Sequence, residues 1–118
     1  MKKNKIKKSI LCVGDIILDS YQDGKIDRIS PEAPIPVLKI LQKDKKFIGG
    51  SGNVARNITA AGGNCHLISV VGNDESGRWL EKQLQSQSIN SNLIVDETRP
   101  TTFKKRYLVE NQKLFRVS

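Results

Sequence analysis

The sequence has few aromatic side chains, a single histidine and no long apolar run. Only 5% of its 118 residues are aromatic, so it offers few rings on which single-stranded nucleic acid could stack. No apolar run reaches the roughly 18 residues that a membrane-spanning helix needs. The single histidine, His66, is interpreted as a strand residue, and no Ser/His/Asp or Cys/His set for nucleophilic catalysis is expected. The sequence therefore predicts no nucleic-acid partner and no membrane partner.

The two cysteines, Cys12 and Cys65, lie far apart within apolar segments. Neither belongs to a C-x-x-C motif or to a Cys/His spacing that could hold zinc. We therefore expect no metal site. The cysteine pattern favours buried, reduced thiols in a cytoplasmic protein.

Positive charge is concentrated at the start of the chain. The net charge is +8, and five of the excess lysines lie within residues 1–8. A nucleic-acid-binding face needs clustered basic residues on a folded surface, and the rest of the chain is nearly balanced. Residues 1–8 are interpreted as a solvated basic tail. An adaptor that acts through this tail remains a second hypothesis.

Strand and helix signals alternate along most of the chain. Short apolar runs next to glycines indicate buried strands, and apolar residues spaced by three and four indicate helices. Asp74 is placed to cap the second helix. This alternation predicts an α/β fold in one domain. The predicted elements are a buried strand Ser9–Val13, a helix Asn53–Ala61, a strand Cys65–Val71, a helix from Asp74 to about Gln87, and a strand Leu93–Val95.

A β-rich insertion is predicted between the first strand and the first helix. Asp23-Gly24 is a tight-turn signal and predicts a hairpin. Three prolines between residues 31 and 36 predict an extended edge or a rigid loop, followed by a strand at 37–41 and a polar turn at 42–46. Near the end of the chain, residues 101–109 and 114–117 are strand-like, and 111–112 form the turn between them.

The glycine-rich stretch 50–55 matches the G-x-G-x-x-A form of the dinucleotide fingerprint. Glycines allow a backbone to approach an anion closely, and a helix N-terminus attracts negative charge. The segment 43–46 is polar, however, where that fingerprint requires a buried strand. A glycine turn that packs a helix against a sheet is therefore favoured over a nicotinamide or flavin site.

Three charged residues could bind a ligand. Asp15 follows the first strand, and ligands of open α/β sheets bind at the carboxyl ends of strands; a simple turn former is the alternative. Lys104 and Arg106 are two apart in a strand and point to one face. That pair suits an anion such as phosphate, although a solvated edge strand would explain it equally well.

Taken together, these segments resemble the N-terminal part of ribokinase-like, pfkB-type carbohydrate kinases. The similarity runs from about residue 8 to the end of the chain and is strongest to heptose-7-phosphate kinase domains. Residues 49–57 match the family's first glycine signature, and Ile29-Ser30-Pro31-Glu32-Ala33-Pro34 is specific to the heptose kinase branch. The other matching stretches are 13–19, 71–77 and 99–106.

The resemblance implies a three-layer α/β sandwich with a small β lid, truncated to its N-terminal half. Residues 9–118 would form its sugar-binding part, with the lid at about 20–45. It implies sugar contacts for four residues and a phosphate site at two cations. The implied sugar-binding residues are Asp15, Gly49, Gly50 and Asn53, and the implied phosphate-binding residues are Lys104 and Arg106.

The implied activity is ATP-dependent phosphorylation of D-glycero-D-manno-heptose 7-phosphate. In this family the catalytic base is the Asp of a Gly-Ala-Gly-Asp motif, and this sequence has no Gly-x-Gly-Asp. No catalytic, ATP-binding or Mg²⁺-binding residue is therefore expected in this chain. Two alternatives to an active kinase are a sugar-phosphate-binding remnant and one half of a split kinase. A homodimer formed through the lid is a further possible assembly.

Overall fold

The computed structural model describes residues 8–32, 34–110 and 112–118. The predicted basic tail falls almost wholly outside these ranges. The chain divides into two compact units: one runs up to Leu18 and resumes at Ile48–Thr102, and the other comprises Asp19–Phe47 and Phe103–Ser118. The described elements are β1 (Ser9–Val13), β2 (Ile16–Ile29), β3 (Pro36–Ile40), β4 (Lys45–Gly50), α1 (Ser51–Ala60), β5 (Asn64–Gly72), α2 (Glu75–Ser86), β6 (Asn90–Asp96), β7 (Phe103–Val109) and β8 (Gln112–Val117).

The first unit contains a parallel three-stranded sheet in the order β1-β5-β6. Helix α1 packs against β1 and β5, and α2 packs against β5 and β6. A helix between parallel strands provides the crossover that such a pairing requires. The predicted alternation of strands and helices is confirmed, with helix boundaries one or two residues from those expected.

The core of this unit is built from alternate residues of β5 and one face of α2. Cys65, Leu67 and Val71 of β5 are buried, as are Leu80 and Leu84 of the helix. Each large apolar side chain that is fully buried contributes about 1.5–3 kcal/mol. The predicted cap is also confirmed, because the Asp74 carboxylate accepts a hydrogen bond from the Gly77 N–H at 2.8 Å.

Strand β1 is present where expected, but the prediction that it is buried was wrong. Leu11 is 64% exposed and Val13 is 69% exposed. By the parallel register, these two residues lie on the same sheet face as Ile94 of β6, which is also exposed. This face lies opposite the buried residues of β5, so β1 is an edge strand with one open apolar face.

The second unit is made of antiparallel strands. Strand β2 pairs with β3, and β7 pairs with β8; along the sheet the order is β3-β2-β7-β8, and β4 also pairs with β2. Strands β2 and β4 each cross a boundary between the units. The two strand-like segments near the end of the chain are confirmed. The predicted turn between them includes Asn111, which lies outside the described residues.

The hairpin predicted at Asp23-Gly24 was wrong, because β2 continues through both residues as one strand. Gly24 pairs with Ile40 of β3. A Cβ atom at Gly24 would lie 2.5 Å from the Leu38 side chain. The glycine therefore permits close packing within the sheet and does not form a turn.

The polar turn predicted at 42–46 is shorter than expected, because β4 begins at Lys45. Strand β4 leads directly into α1, so a strand does precede the glycines, but its first three residues are exposed or half-buried. It is therefore not the buried strand that the dinucleotide fingerprint requires. The proline segment is as predicted where it is described: Pro31 and Pro34 lie outside strands, and Pro36 begins the edge strand β3. Ala33, between them, lies outside the described residues.

Candidate functional site

The glycine turn before α1 lies directly against the backbone of Asp15. The Ser51 N–H donates to the Asp15 carbonyl at 2.8 Å. Gly50 has φ 60°, and a Cβ atom there would lie 2.3 Å from the same carbonyl oxygen. Both the left-handed backbone and the close approach require glycine at this position. The end of β1 and the start of α1 are thus joined by main-chain contacts.

Ser69 of β5 holds the other side of this turn, a role that was not predicted from the sequence. Its hydroxyl donates to the Gly14 carbonyl at 2.6 Å and accepts from the Ile16 N–H at 2.9 Å. Ser69 is 4% exposed, so the backbone groups on both sides of Asp15 are satisfied inside the protein. Ser69 carries the one hydroxyl in the largely apolar segment Asn64–Gly72. That position was the sequence signal that could have indicated its role.

The structure brings together the four residues predicted to contact a sugar. The Asp15 side chain is exposed, Gly49 is buried, and Gly50 is exposed at the surface. Asn53 is half-buried at the third position of α1, where its Oδ1 accepts from Arg56 at 2.9 Å. The first turn of α1 carries no acidic residue and has no side-chain cap. Apart from that of Ser51, the N–H groups of this turn have no acceptor within the helix and attract polar or negatively charged ligand groups.

The two predicted phosphate-binding cations belong to the second unit. Both lie on β7, and the two-residue alternation of a strand puts them on one face. The Arg106 guanidinium contacts the Asp19 carboxylate at 3.0 Å and lies 5.4 Å from the centre of the Tyr21 ring. Lys104 has no ion pair among the described side chains. The ion pair of Arg106 with Asp19 was not predicted from the sequence.

A second polar contact in this unit joins β2 to the segment before β4. Buried Ser20 donates a hydrogen bond to the Asp44 carboxylate. This hydrogen bond lowers the pKa of Asp44 from its usual value, and the nearby Lys105 and Lys46 act in the same direction. The Asp44 carboxylate is therefore held in its charged form at neutral pH, in which it accepts the hydrogen bond from Ser20.

Asp74 clamps the start of α2 to the segment that precedes β7. Beyond its cap bond to Gly77, it accepts from the Thr101 N–H at 2.8 Å and the Thr101 hydroxyl at 2.6 Å. That hydroxyl also accepts from the Gly72 N–H. Burial opposes ionisation of Asp74, but the bonds from Thr101 and Gly77 outweigh it, and the pKa of Asp74 is lowered.

The described residues offer no donor set for a metal ion. Across the described ranges, no group of three or more His, Cys, Asp or Glu side chains converges. No helix in the described part of the chain is long and apolar enough to cross a membrane.

The parallel unit with its glycine turn and the antiparallel second unit define a ribokinase-like α/β fold. Solved structures with this fold superpose well. A nucleoside kinase from Methanocaldococcus jannaschii, an archaeal member of the ribokinase family, matches 92% of this chain with a TM-score of 0.71 at 26% identity. Phosphofructokinase-2 from Escherichia coli, solved with fructose-6-phosphate, matches 97% with a TM-score of 0.70 at 22% identity. The chain covers 36% and 35% of these two proteins.

The sequence itself matches the pfkB family of carbohydrate kinases over residues 7–116. The chain belongs to this family. Among curated relatives, the bifunctional protein HldE of Rhodopseudomonas palustris is 47% identical over 89% of this chain. The D-beta-D-heptose 7-phosphate kinase of Bordetella bronchiseptica is 44% identical over 92%. The chain spans only 21% and 34% of the lengths of these two relatives.

Proposed function

We propose that this chain is the sugar-phosphate-binding part of a heptose kinase. The complete kinase would transfer a phosphoryl group from ATP to D-glycero-D-manno-heptose 7-phosphate, on the route to ADP-heptose for lipopolysaccharide. The observation that carries this proposal is the 44% identity to a D-beta-D-heptose 7-phosphate kinase over 92% of the chain. Since the chain spans 34% of that relative, the transfer step is proposed for the complete kinase.

The sugar would bind at the glycine turn of the first unit. The exposed carboxylate of Asp15 would accept hydrogen bonds from sugar hydroxyls, and Asn53 would bind through its side-chain amide. Gly50 holds the turn against the Asp15 carbonyl, because a Cβ atom there would lie 2.3 Å from that oxygen, and the main chain of Gly49 and Gly50 would offer polar groups to the sugar. A neutral hydrogen bond from Asn53 would contribute about 0.5–1.5 kcal/mol net, and a hydrogen bond to the charged Asp15 carboxylate about 1.5–3 kcal/mol.

The phosphate already carried by the sugar would bind at Lys104 and Arg106. The Asp19 carboxylate offsets much of the charge of Arg106, since the two groups are 3.0 Å apart. Lys104, which has no ion pair among the described side chains, would supply most of the attraction for the dianion. The Arg106 guanidinium, which Asp19 holds in place, would act mainly as an oriented hydrogen-bond donor to the phosphate oxygens.

Three further parts of this proposal come from the family resemblance. Residues of about 20–45 would form a lid that covers the sugar and excludes water during transfer. ATP and Mg²⁺ would be bound outside the residues described here; one structural relative, a fructokinase from Xylella fastidiosa, was solved with bound ATP. Because the reaction would consume ATP, we propose that the complete kinase acts in the cytoplasm.

Calorimetry of the purified chain with heptose 7-phosphate and with ATP tests this proposal. We expect binding of the sugar phosphate, no binding of ATP and no turnover. Asp15→Ala and Lys104→Ala should each weaken binding by about 10- to 100-fold, because each removes a charged partner. Their matched controls are Asn57→Ala on the outer surface of α1 and Lys113→Ala on β8, which should bind as the wild type does. Binding of ATP without the sugar phosphate contradicts the proposal.

The open apolar face of the first unit supports a second candidate, one half of a split kinase. Parallel sheets are almost always covered on both faces, yet Leu11, Val13 and Ile94 are more than half exposed on one face. Exposed apolar patches of this kind mark surfaces that bind other polypeptides. A complementing chain that supplies the rest of the kinase fold is the occupant we propose.

Light scattering of the isolated chain tests this second candidate. We expect oligomers or aggregates that bind an apolar dye, and a shift towards monomer for the double variant Leu11→Asn, Val13→Asn. A complementing polypeptide should raise the melting temperature of the wild type by mass action. If the wild type is a monomer that unfolds cooperatively and binds no dye, the face needs no partner and the candidate fails. A homodimer formed through the lid would be unaffected by this double variant.

A further inference from the structure

The two cysteines of the chain, both unpaired, lie on neighbouring strands. In the parallel pairing of β1 and β5, Ile10 lies opposite Cys65 and Cys12 lies opposite Leu67. Side chains two residues apart on a strand point to the same face. Cys12 and Cys65 are therefore diagonal neighbours on one face of the sheet.

The two thiols differ in access. Cys65 is 2% exposed, whereas Cys12 is partly exposed and its Sγ contacts the Ser51 carbonyl at 3.8 Å. Burial raises the pKa of the Cys65 thiol, and the charge and hydrogen bonding of Cys12 raise it further. The two thiols thus interact, and a reagent reaches the pair through Cys12.

The strand geometry does not suit a direct disulfide between them. Neighbouring strands lie about 4.8 Å apart and a two-residue offset adds about 6.6 Å along the strand, so the Cα atoms are about 8 Å apart. Disulfides need Cα atoms within about 7 Å. A ligand atom that bonds to both sulfurs spans a longer distance than an S–S bond does.

We propose that Cys12 and Cys65 form a dithiol site for trivalent arsenicals. An arsenic(III) oxide group, R–As=O, would form one As–S bond with each sulfur. Both S–H bonds break, and the arsenic oxygen leaves with the two protons as water. No electrons are transferred. The product is uncharged, which suits a buried position because no ion has to be desolvated.

Phenylarsine oxide, added to the full chain, is the probe that tests this site. Intact-mass measurement should show one adduct per chain, equal to the reagent less one water. The adduct should survive an excess of glutathione and be removed by a small dithiol. Cys12→Ala and Cys65→Ala each leave a single thiol, and each should retain the arsenical at least about 100-fold more weakly, because the second bond in the wild type is intramolecular.

A second measurement needs no variant, which matters if Cys65→Ala folds poorly. After proteolysis of the wild-type adduct, the peptides that contain Cys12 and Cys65 should appear as one arsenic-bridged species. The adduct should also raise the melting temperature, because it staples β1 to β5. Absence of an adduct, arsenic on one peptide alone, or equal retention by either single variant would overturn the proposal.

Discussion

The two units hold their candidate binding residues by different kinds of contact. In the first unit, the backbone around Asp15 is held by a main-chain bond from Ser51 and by the buried hydroxyl of Ser69. In the second, Arg106 is held by a partly exposed ion pair with Asp19. Close-packed backbone contacts tolerate no added atom, whereas exposed ion pairs are weak and screened by salt. Substitutions should therefore cost most in the first unit.

Gly50→Ala should have the largest effect on stability. The left-handed backbone and the 2.3 Å approach to the Asp15 carbonyl leave no room for a Cβ atom, so we expect a loss of about 3 kcal/mol or more in the free energy of unfolding. Urea denaturation measures this loss. Gly62→Ala is the matched control, since Gly62 has φ 89° but no atom near its Cβ position; it should cost about 1 kcal/mol. Equal losses of stability for Gly50→Ala and Gly62→Ala would show that the close approach of the Asp15 carbonyl to Gly50 adds nothing to the cost.

Ser69→Ala should have the next largest effect. It removes the donor to Gly14 and the acceptor for Ile16 and leaves two backbone groups without a partner, at a cost of about 2 kcal/mol. Thermal and urea unfolding measure this cost. Ser86→Ala removes an exposed hydroxyl that bonds only within α2 and should stay within about 0.5 kcal/mol of the wild type. A neutral Ser69→Ala would mean that the turn is held by other contacts.

Asp74→Ala should cost about 2 kcal/mol at neutral pH, because it removes the helix cap and both hydrogen bonds from Thr101. The pKa of Asp74 is lowered in the folded state, so its ionised form stabilises the fold above the unfolded-state pKa of about 3.9. This contribution is lost as the pH falls through the lower folded-state pKa. Urea unfolding at several pH values should show a constant difference between wild type and variant above pH 5 and a narrowing one below pH 4. An unchanged difference at pH 3 would contradict this assignment.

The Asp19–Arg106 pair should give the smallest effect. A double-mutant cycle with Asp19→Ala and Arg106→Ala should yield a coupling of about 0.5–1 kcal/mol, because both side chains are partly exposed. The coupling should fall further at high salt. A coupling above about 2 kcal/mol that persists at high salt would show that the ion pair of the second unit is as strong as the backbone contacts of the first.

Much of the fold could be predicted from the sequence because its signals are local. The apolar spacing of α2 with Leu80 and Leu84, the cap at Asp74, and the glycines before α1 depend on residues close together in the chain. The family match confirms the ribokinase-like fold and the carbohydrate kinase family. The roles of Asp15, Gly49, Gly50, Asn53, Lys104 and Arg106 in binding remain predictions.

The errors and omissions all depended on contacts between residues distant in sequence. Asp23-Gly24 has the local chemistry of a turn, but pairing with β3 keeps it extended, since the gain from a continuous ladder outweighs the turn preference. The exposure of β1, the hydroxyl of Ser69 beneath Asp15, and the pairing of Arg106 with Asp19 likewise arise only when strands meet. Local chemistry specified the order and kind of the elements, while packing between them decided which groups are buried, paired or open, because burial and pairing are properties of neighbours in space.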